Sequence, residues 1–156
     1  MSTTALDAAT LDLQVRTFIY DRLISGGKMP TSADIATHIG ISRDDVQASF
    51  LRMKDGHVLV LQHGDQEILM ANPFSAVPTP FLVEIGTHSW WGNCIWDALG
   101  IAAMVKANAR ITTSCGDCND AMVLLVENGS LRLEQGEGII HFSVPAKHWW
   151  DNIKFT

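Results

Sequence analysis

Trp90-Trp91-Gly92-Asn93-Cys94-Ile95-Trp96-Asp97-Ala98-Leu99-Gly100 passes from a loop-like Gly-Asn into apolar sequence that continues to Val105. Asn93 is suited to cap a helix, because its side-chain oxygen can accept from the free amides of the first turn. Cys94 then falls at the first helical position, with Asp97 three residues on and on the same face. A thiol placed there sits beside unpaired N–H groups and the positive end of the helix dipole, which favour the thiolate. The residues that follow are apolar nearly all round (Ile95, Trp96, Ala98, Leu99, Ile101, Ala102, Ala103, Met104, Val105), so a central buried helix is expected. An aspartate on such a helix loses hydration, which raises its pKa and lets it hold or deliver a proton. The plainer reading is a core cysteine, with Asp97 satisfied by a nearby backbone or Trp N–H.

Beyond this helix the pattern changes to strands. Ala109–Thr113 and Ala121–Val126 read as a pair joined by the turn Cys115-Gly116-Asp117-Cys118-Asn119-Asp120. Asn128-Gly129 is a strong hairpin signal leading to Leu131–Leu133. Gly136 and Gly138 bracket another turn before a strand over Ile139–Val144, which Pro145 stops, and Ala146–Ile153 reads as a short closing helix. Phe81–Ile85 supplies one more strand ahead of the Trp90-Trp91 pair. The second half is therefore an antiparallel sheet packed on the Cys94 helix.

Before it, three prolines between Asn72 and Phe81 describe an extended connector. The first half is helical. After a lead-in over residues 1–10, Leu11, Val15, Phe18, Ile19 and Leu23 recur at helical spacing as far as Ile24. Thr31 or Ser32 caps a short helix carrying Ile35, Ala36 and Ile39; Gly40 marks a turn; Ser42 caps a third helix running to Lys54. Val58–Gln62 and Glu67–Met70, joined by His63-Gly64-Asp65-Gln66, read as a two-stranded wing. The expected architecture is α+β: a winged-helix-like module over residues 1–71, then an α+β domain over residues 72–156.

The totals narrow the function. The chain has 156 residues, 47% of them hydrophobic and 18% charged, which is ordinary for one domain or two small modules. A formal net charge of −6 argues against nucleic acid as a partner. The third helix pairs Arg43, Arg52 and Lys54 with Asp44 and Asp45, a balanced face without a basic stripe. Three cysteines cannot close a complete disulfide framework, and free thiols fit a reducing, cytoplasmic setting. The N-terminus lacks a signal-peptide pattern, and no apolar run is long enough to span a membrane.

These residues together resemble the alkylmercury lyase (organomercurial lyase) family. The likeness runs through Asn93-Cys94-Ile95-Trp96-Asp97-Ala98-Leu99, then Thr113-Ser114-Cys115, and ends with Ile140-His141-Phe142-Ser143-Val144-Pro145 and Trp149. The helical first half is similar to that family's N-terminal module. The resemblance implies thiolate capture of mercury from an organomercurial and protonation of the leaving carbon. Cys94 would be the capturing thiolate, Asp97 the proton relay and Cys115 a structural cysteine. No cofactor is required; mercury, a soft metal ion, would be bound as substrate or product. A small organic or organometallic substrate and a thiol or metal-accepting partner are the expected company.

The pattern departs from the family at one place. The family's second catalytic cysteine lies a few residues before the His-Phe pair, where this chain reads Glu134-Gln135-Gly136-Glu137-Gly138-Ile139-Ile140. The chain is also shorter than the family's. One thiolate holds a soft metal less well than two. Cys118 from the adjacent turn, or Glu137 as an oxygen ligand or base, are the candidates to complete the site, giving Cys94 and Cys118 as expected metal ligands. The Cys115-x-x-Cys118 pair reads first as a plain hairpin turn, then as half a zinc site with Cys94, His88, His141 or His148 as candidate further ligands, and last as a redox couple. His141 reads as a structural histidine on its strand. Trp90, Trp91 and Trp96 are expected to wall an apolar cleft near Cys94. Two further classes stay open: a soft-metal-binding or transfer protein without lyase activity, and a helix-turn-helix regulator whose sheet domain senses a ligand.

Overall fold

The structure, a computed structural model, describes residues 7–64 and 66–154. Its backbone separates into two compact units, Met1–Val77 and Pro78–Thr156.

The first unit begins with helix α1 (Ala8–Ile24), whose N-cap Asp7 accepts from the Thr10 amide. That cap starts the helix inside the expected lead-in; residues 1–6 lie outside the described residues. Helix α2 (Ser32–Ile39) opens with a capping box, in which Thr31 and Asp34 satisfy each other's backbone amides, and closes on Gly40 at φ 79°. Helix α3 (Arg43–Asp55) starts at Ser42, which accepts from the Asp45 amide. Val15, Ile19, Leu23, Ile35, Val46, Phe50 and Met53 meet in the core between the three helices. Each such fully buried side chain stabilises the fold by about 1.5–3 kcal/mol. Strands β1 (Val60–Leu61) and β2 (Ile68–Ala71) form a short antiparallel pair. Asp65, in the expected turn between them, lies outside the described residues. Strand β3 (Phe74–Ser75) pairs with β2. The connector's first residues thus belong to this unit, and the divide falls at Val77, not at the expected residue 71.

The second unit is an antiparallel sheet with one helix on it. Strands β4 (Leu82–Ile85) and β5 (His88–Gly92) form a hairpin, and β4 also pairs with β6 (Ala109–Ser114). Strand β7 (Ala121–Glu127) continues from β6, and β8 (Ser130–Gln135) from β7. The β7–β8 turn is the expected Asn128-Gly129, both residues in the left-handed region at φ 52° and 77°. The order across this unit is β5-β4-β6-β7-β8. Helix α4 (Ile95–Val105) packs on β4 and β5.

Three expectations are corrected here. Helix α4 buries only the face carrying Ala98, Ile101 and Ala102, while Trp96 and Met104 are exposed, so the helix covers the sheet from one side. Its apolar circumference is wider than the face the sheet covers. Ile139–Val144 forms no strand. The chain leaves β8 through Gly136 at φ 87°, and both Gly136 and Gly138 lie so close to Met122 that a Cβ would stand 3.0 Å from it. Phe142 is then drawn to other aromatic rings, away from any strand ladder. The expected closing helix is a 3-10 segment of two turns, Ala146–Asp151, which Trp149 ties back through its indole N–H to the Val144 carbonyl at 3.1 Å.

Candidate active site

The end of β5 is held in three places before the chain turns into α4. Gly92 donates its N–H to the Phe81 carbonyl at 2.9 Å. The Gly92 carbonyl accepts from the Thr79 hydroxyl at 2.6 Å, and that hydroxyl oxygen accepts in turn from the Phe81 amide at 3.1 Å. A Cβ on Gly92 would lie 2.7 Å from the Ala98 nitrogen and 3.0 Å from its Cα, so only glycine admits the first turn of α4 this close. The helix start is fixed from outside the helix.

As a result the helix begins one residue later than expected. Cys94, extended at φ −147° and ψ −178°, is the N-cap, and its carbonyl accepts the first helical hydrogen bond from Ala98 at 2.9 Å. Asn93 does not cap. Its side-chain amide donates to Asp97 Oδ2 at 3.0 Å and orients that carboxylate. Sequence spacing named Asn93 but gave it the wrong partner, and it missed Thr79, which carries no motif.

Cys94 and Asp97 share a hydrogen bond between their side chains, and both are partly buried. Burial raises the Asp97 carboxyl above the ordinary carboxylate range, against the opposing pull of the Asn93 amide and the Cys94 thiol. That is the expected direction. Cys94 goes the other way from expectation. Burial pushes its thiol up; the Asp97 N–H and, less strongly, the Trp96 N–H favour the thiolate, but the Asp97 charge opposes them. These amides contribute too little to offset lost hydration, the largest cause here. Both acidic groups therefore resist ionisation, side by side at the helix start.

The aromatic surroundings differ from the expected wall. Trp90 is 6% exposed and belongs to the core, Trp91 points to the other sheet face on the alternating strand, and Trp96 is 55% exposed. Trp96 meets Phe142 edge-on, with centroids 6.0 Å apart, and Phe142 lies 5.5 Å from Trp149. These rings form an aromatic cluster that joins the first turn of α4 to the segment after β8. His141 and Glu137 are exposed on that segment.

Cys115 and Cys118 sit in the β6–β7 turn, closed by Cys115 N–H to the Asp120 carbonyl and Asn119 N–H to the Cys115 carbonyl, both 2.9 Å. The amides of Cys118 and Asp117 and the Cys118 thiol all favour a thiolate at Cys115 and lower its pKa. The Asp120 amide favours ionisation of Cys118, but its hydrogen bond to Cys115 and the Asp120 carboxyl outweigh that and raise it. Among the described residues no three of His, Cys, Asp and Glu gather closely enough to hold a metal ion. Cys118 and Glu137 therefore do not complete a three-donor set with Cys94 and Asp97. The zinc reading of the turn likewise lacks its histidine: His148 pairs with Asp151 at 3.0 Å, and His88 lies against Trp90.

This is an α+β chain with a thiol–carboxylate pair at the start of a helix laid on an antiparallel sheet. A sequence model described as alkylmercury lyase (MerB) matches residues 74–156, which include every residue of that pair and its supports. The chain belongs to the alkylmercury lyase family. The fold is similar to that of a crystal structure of the mercury-bound form of MerB2, with a TM-score of 0.63 at 19% sequence identity. The similarity covers 81% of this chain and 65% of the length of that one. No curated protein matches the sequence. No helix among the described residues is long and apolar enough to cross a membrane.

Proposed function

We propose that the chain is an alkylmercury-lyase-like enzyme that captures an organomercurial on Cys94 and protonates the leaving carbon from Asp97. The observation that carries this reading is the hydrogen-bonded Cys94–Asp97 pair, with Asn93 holding the carboxylate. As mercury bonds to the Cys94 sulfur, the S–H proton passes to Asp97. Burial makes the protonated carboxyl easy to form. Asp97 then delivers that proton to carbon as the carbon–mercury bond breaks. Hydrocarbon leaves, the carboxylate is restored, and mercury stays on the Cys94 sulfur. With one thiolate there, an external thiol supplies the second ligand that carries the ion away, so turnover depends on added thiol. Membership of the family supports the reaction class.

The test separates capture from cleavage. With a short-chain organomercurial, Asp97→Asn should keep the mercury adduct while hydrocarbon release falls by about 10²–10⁴-fold, the usual worth of a positioned general acid. Cys94→Ser should lose both, because a hydroxyl is a poor ligand for a soft metal. Parent-rate turnover by Asp97→Asn would remove the proton role. A parent chain that binds but never releases hydrocarbon would favour the metal-binding alternative.

A further inference from the structure

The cysteine pair of the β6–β7 turn is not absorbed by the proposed reaction, and its place in the sheet is informative. Trp91 at the end of β5 is in register with Leu82, and Leu82 with Thr112 near the end of β6. The chain therefore leaves β5 toward Cys94 and leaves β6 toward Cys115 at the same end of the sheet. Only β4 lies between those strands, so the two exits are two strand spacings apart, roughly 10 Å. Both turn cysteines are free thiols, with Cys115 half-buried and Cys118 exposed. Their backbone is pinned from both sides, since Ser114 pairs with Ala121 directly below the turn. The Asn119 N–H to Cys115 carbonyl bond and Asn119 at φ 61° curl the loop into a tight turn that carries both cysteines, three residues apart.

We propose that Cys115 and Cys118 form a two-thiolate site for a soft cation, mercuric ion being the cargo, at the sheet end where Cys94 stands. The choice of mercuric ion rests on the lyase reading; the site itself does not. Two thiolates suit a soft d10 ion that is content with two sulfur ligands, which is why no third donor is needed here. Binding forms two S–Hg bonds and breaks two S–H bonds, and both protons go to solvent, with no change of oxidation state. The amides of Asp117 and Cys118 turned toward the Cys115 sulfur spread its charge once the proton has left. An ion left on Cys94 after cleavage would find, on the same edge, a chelating pair in place of a single sulfur.

The experiment uses the reduced full-length chain with mercuric chloride itself, so no carbon–mercury cleavage is involved. In a Cys94→Ser background, one mercuric ion per chain should survive gel filtration in excess glutathione, and mercuric chloride added without glutathione should release two protons per ion bound. Adding Cys118→Ser, or separately Cys118→Ala, should weaken retention on the order of a hundredfold or more, the usual worth of a second tethered ligand. Cys118 is exposed, so neither change should disturb the fold, and circular dichroism checks this. Equal retention with and without Cys118 overturns the site, as does retention that requires Cys94. A Cys115–Cys118 disulfide that persists in glutathione and takes up no mercury overturns it in favour of a redox couple. A chain that holds mercury at the pair yet releases no hydrocarbon keeps this site and refutes the lyase reading alone.

Discussion

Asp97 is the residue whose burial works against the fold and for the proposed chemistry. Its folded-state pKa lies above its unfolded value because burial penalises the charge more than Asn93 and Cys94 relieve it. The sign follows directly. Below the unfolded carboxyl pKa, roughly pH 4, the group is neutral in both states and its contribution to stability is complete; that contribution is lost as pH rises through the folded value. Asn at this position keeps an acceptor for the Asn93 amide and cannot ionise. Asp97→Asn should therefore melt at or above the parent at pH 7, with the gap closing below pH 4, as thermal melts at the two pH values will read. A variant less stable than the parent at pH 7 would mean the carboxylate charge holds the helix start together. That Cys94 and Asp97 meet at a helix start was legible from their spacing, but the direction of the thiol's pKa was not. A sequence offers the helix end as a thiolate-stabilising feature and cannot weigh it against burial, which here is the larger effect.

At the scale of elements, α4 shows what local signals can and cannot place. Capping chemistry written in the sequence located α2 and α3 well, through Thr31 with Asp34 and Ser42 with Asp45. Asn128-Gly129 placed the β7–β8 turn for the same reason: the required backbone angles are local. The start of α4 is set instead by non-local contacts, Gly92 against Ala98 and Thr79 on Gly92, which overrode the good cap at Asn93. Ile139–Val144 alternates like a strand, but alternation does not say whether a ladder partner exists. Gly92→Ala tests the close approach. The added methyl meets backbone atoms of Ala98, which cannot swing away as a side chain would, so a loss of about 1–3 kcal/mol is expected in urea denaturation. Gly116→Ala is the control, since nothing lies within 4 Å of its Cβ position. Equal stability for the two variants would show that α4 shifts freely, and that Cys94 is not held by this contact.

At the scale of the whole molecule, the remaining alternative is the regulator, and it turns on charge. The helical unit has the element order of a helix-turn-helix, and fold alone does not choose between a DNA reader and a packing module. The net charge of −6 already opposes phosphate binding. The cations that α3 offers are also engaged within its own unit. Arg52 contacts Asp12 at 2.6 Å, and Asp12 accepts from the Ser49 hydroxyl at 2.6 Å as well. Burial raises the Asp12 carboxyl, but Arg52 and Ser49 outweigh it and hold the group below the usual carboxylate range. Arg43 contacts Glu67 at 3.0 Å and the Ser32 hydroxyl at 2.7 Å, so it ties α3 to α2 and to the residue before β2. Turning either guanidinium toward a phosphate would break these contacts and leave Asp12 or Glu67 facing the DNA backbone, where like charges repel. The expected result is no mobility shift with duplex DNA at low salt, for the parent chain and for Asp12→Asn alike, because freeing one arginine still leaves a balanced face. A shift that weakens steeply with added salt would show phosphate neutralisation on this unit, and the ligand-sensing regulator would then displace the packing module as the reading of residues 7–77.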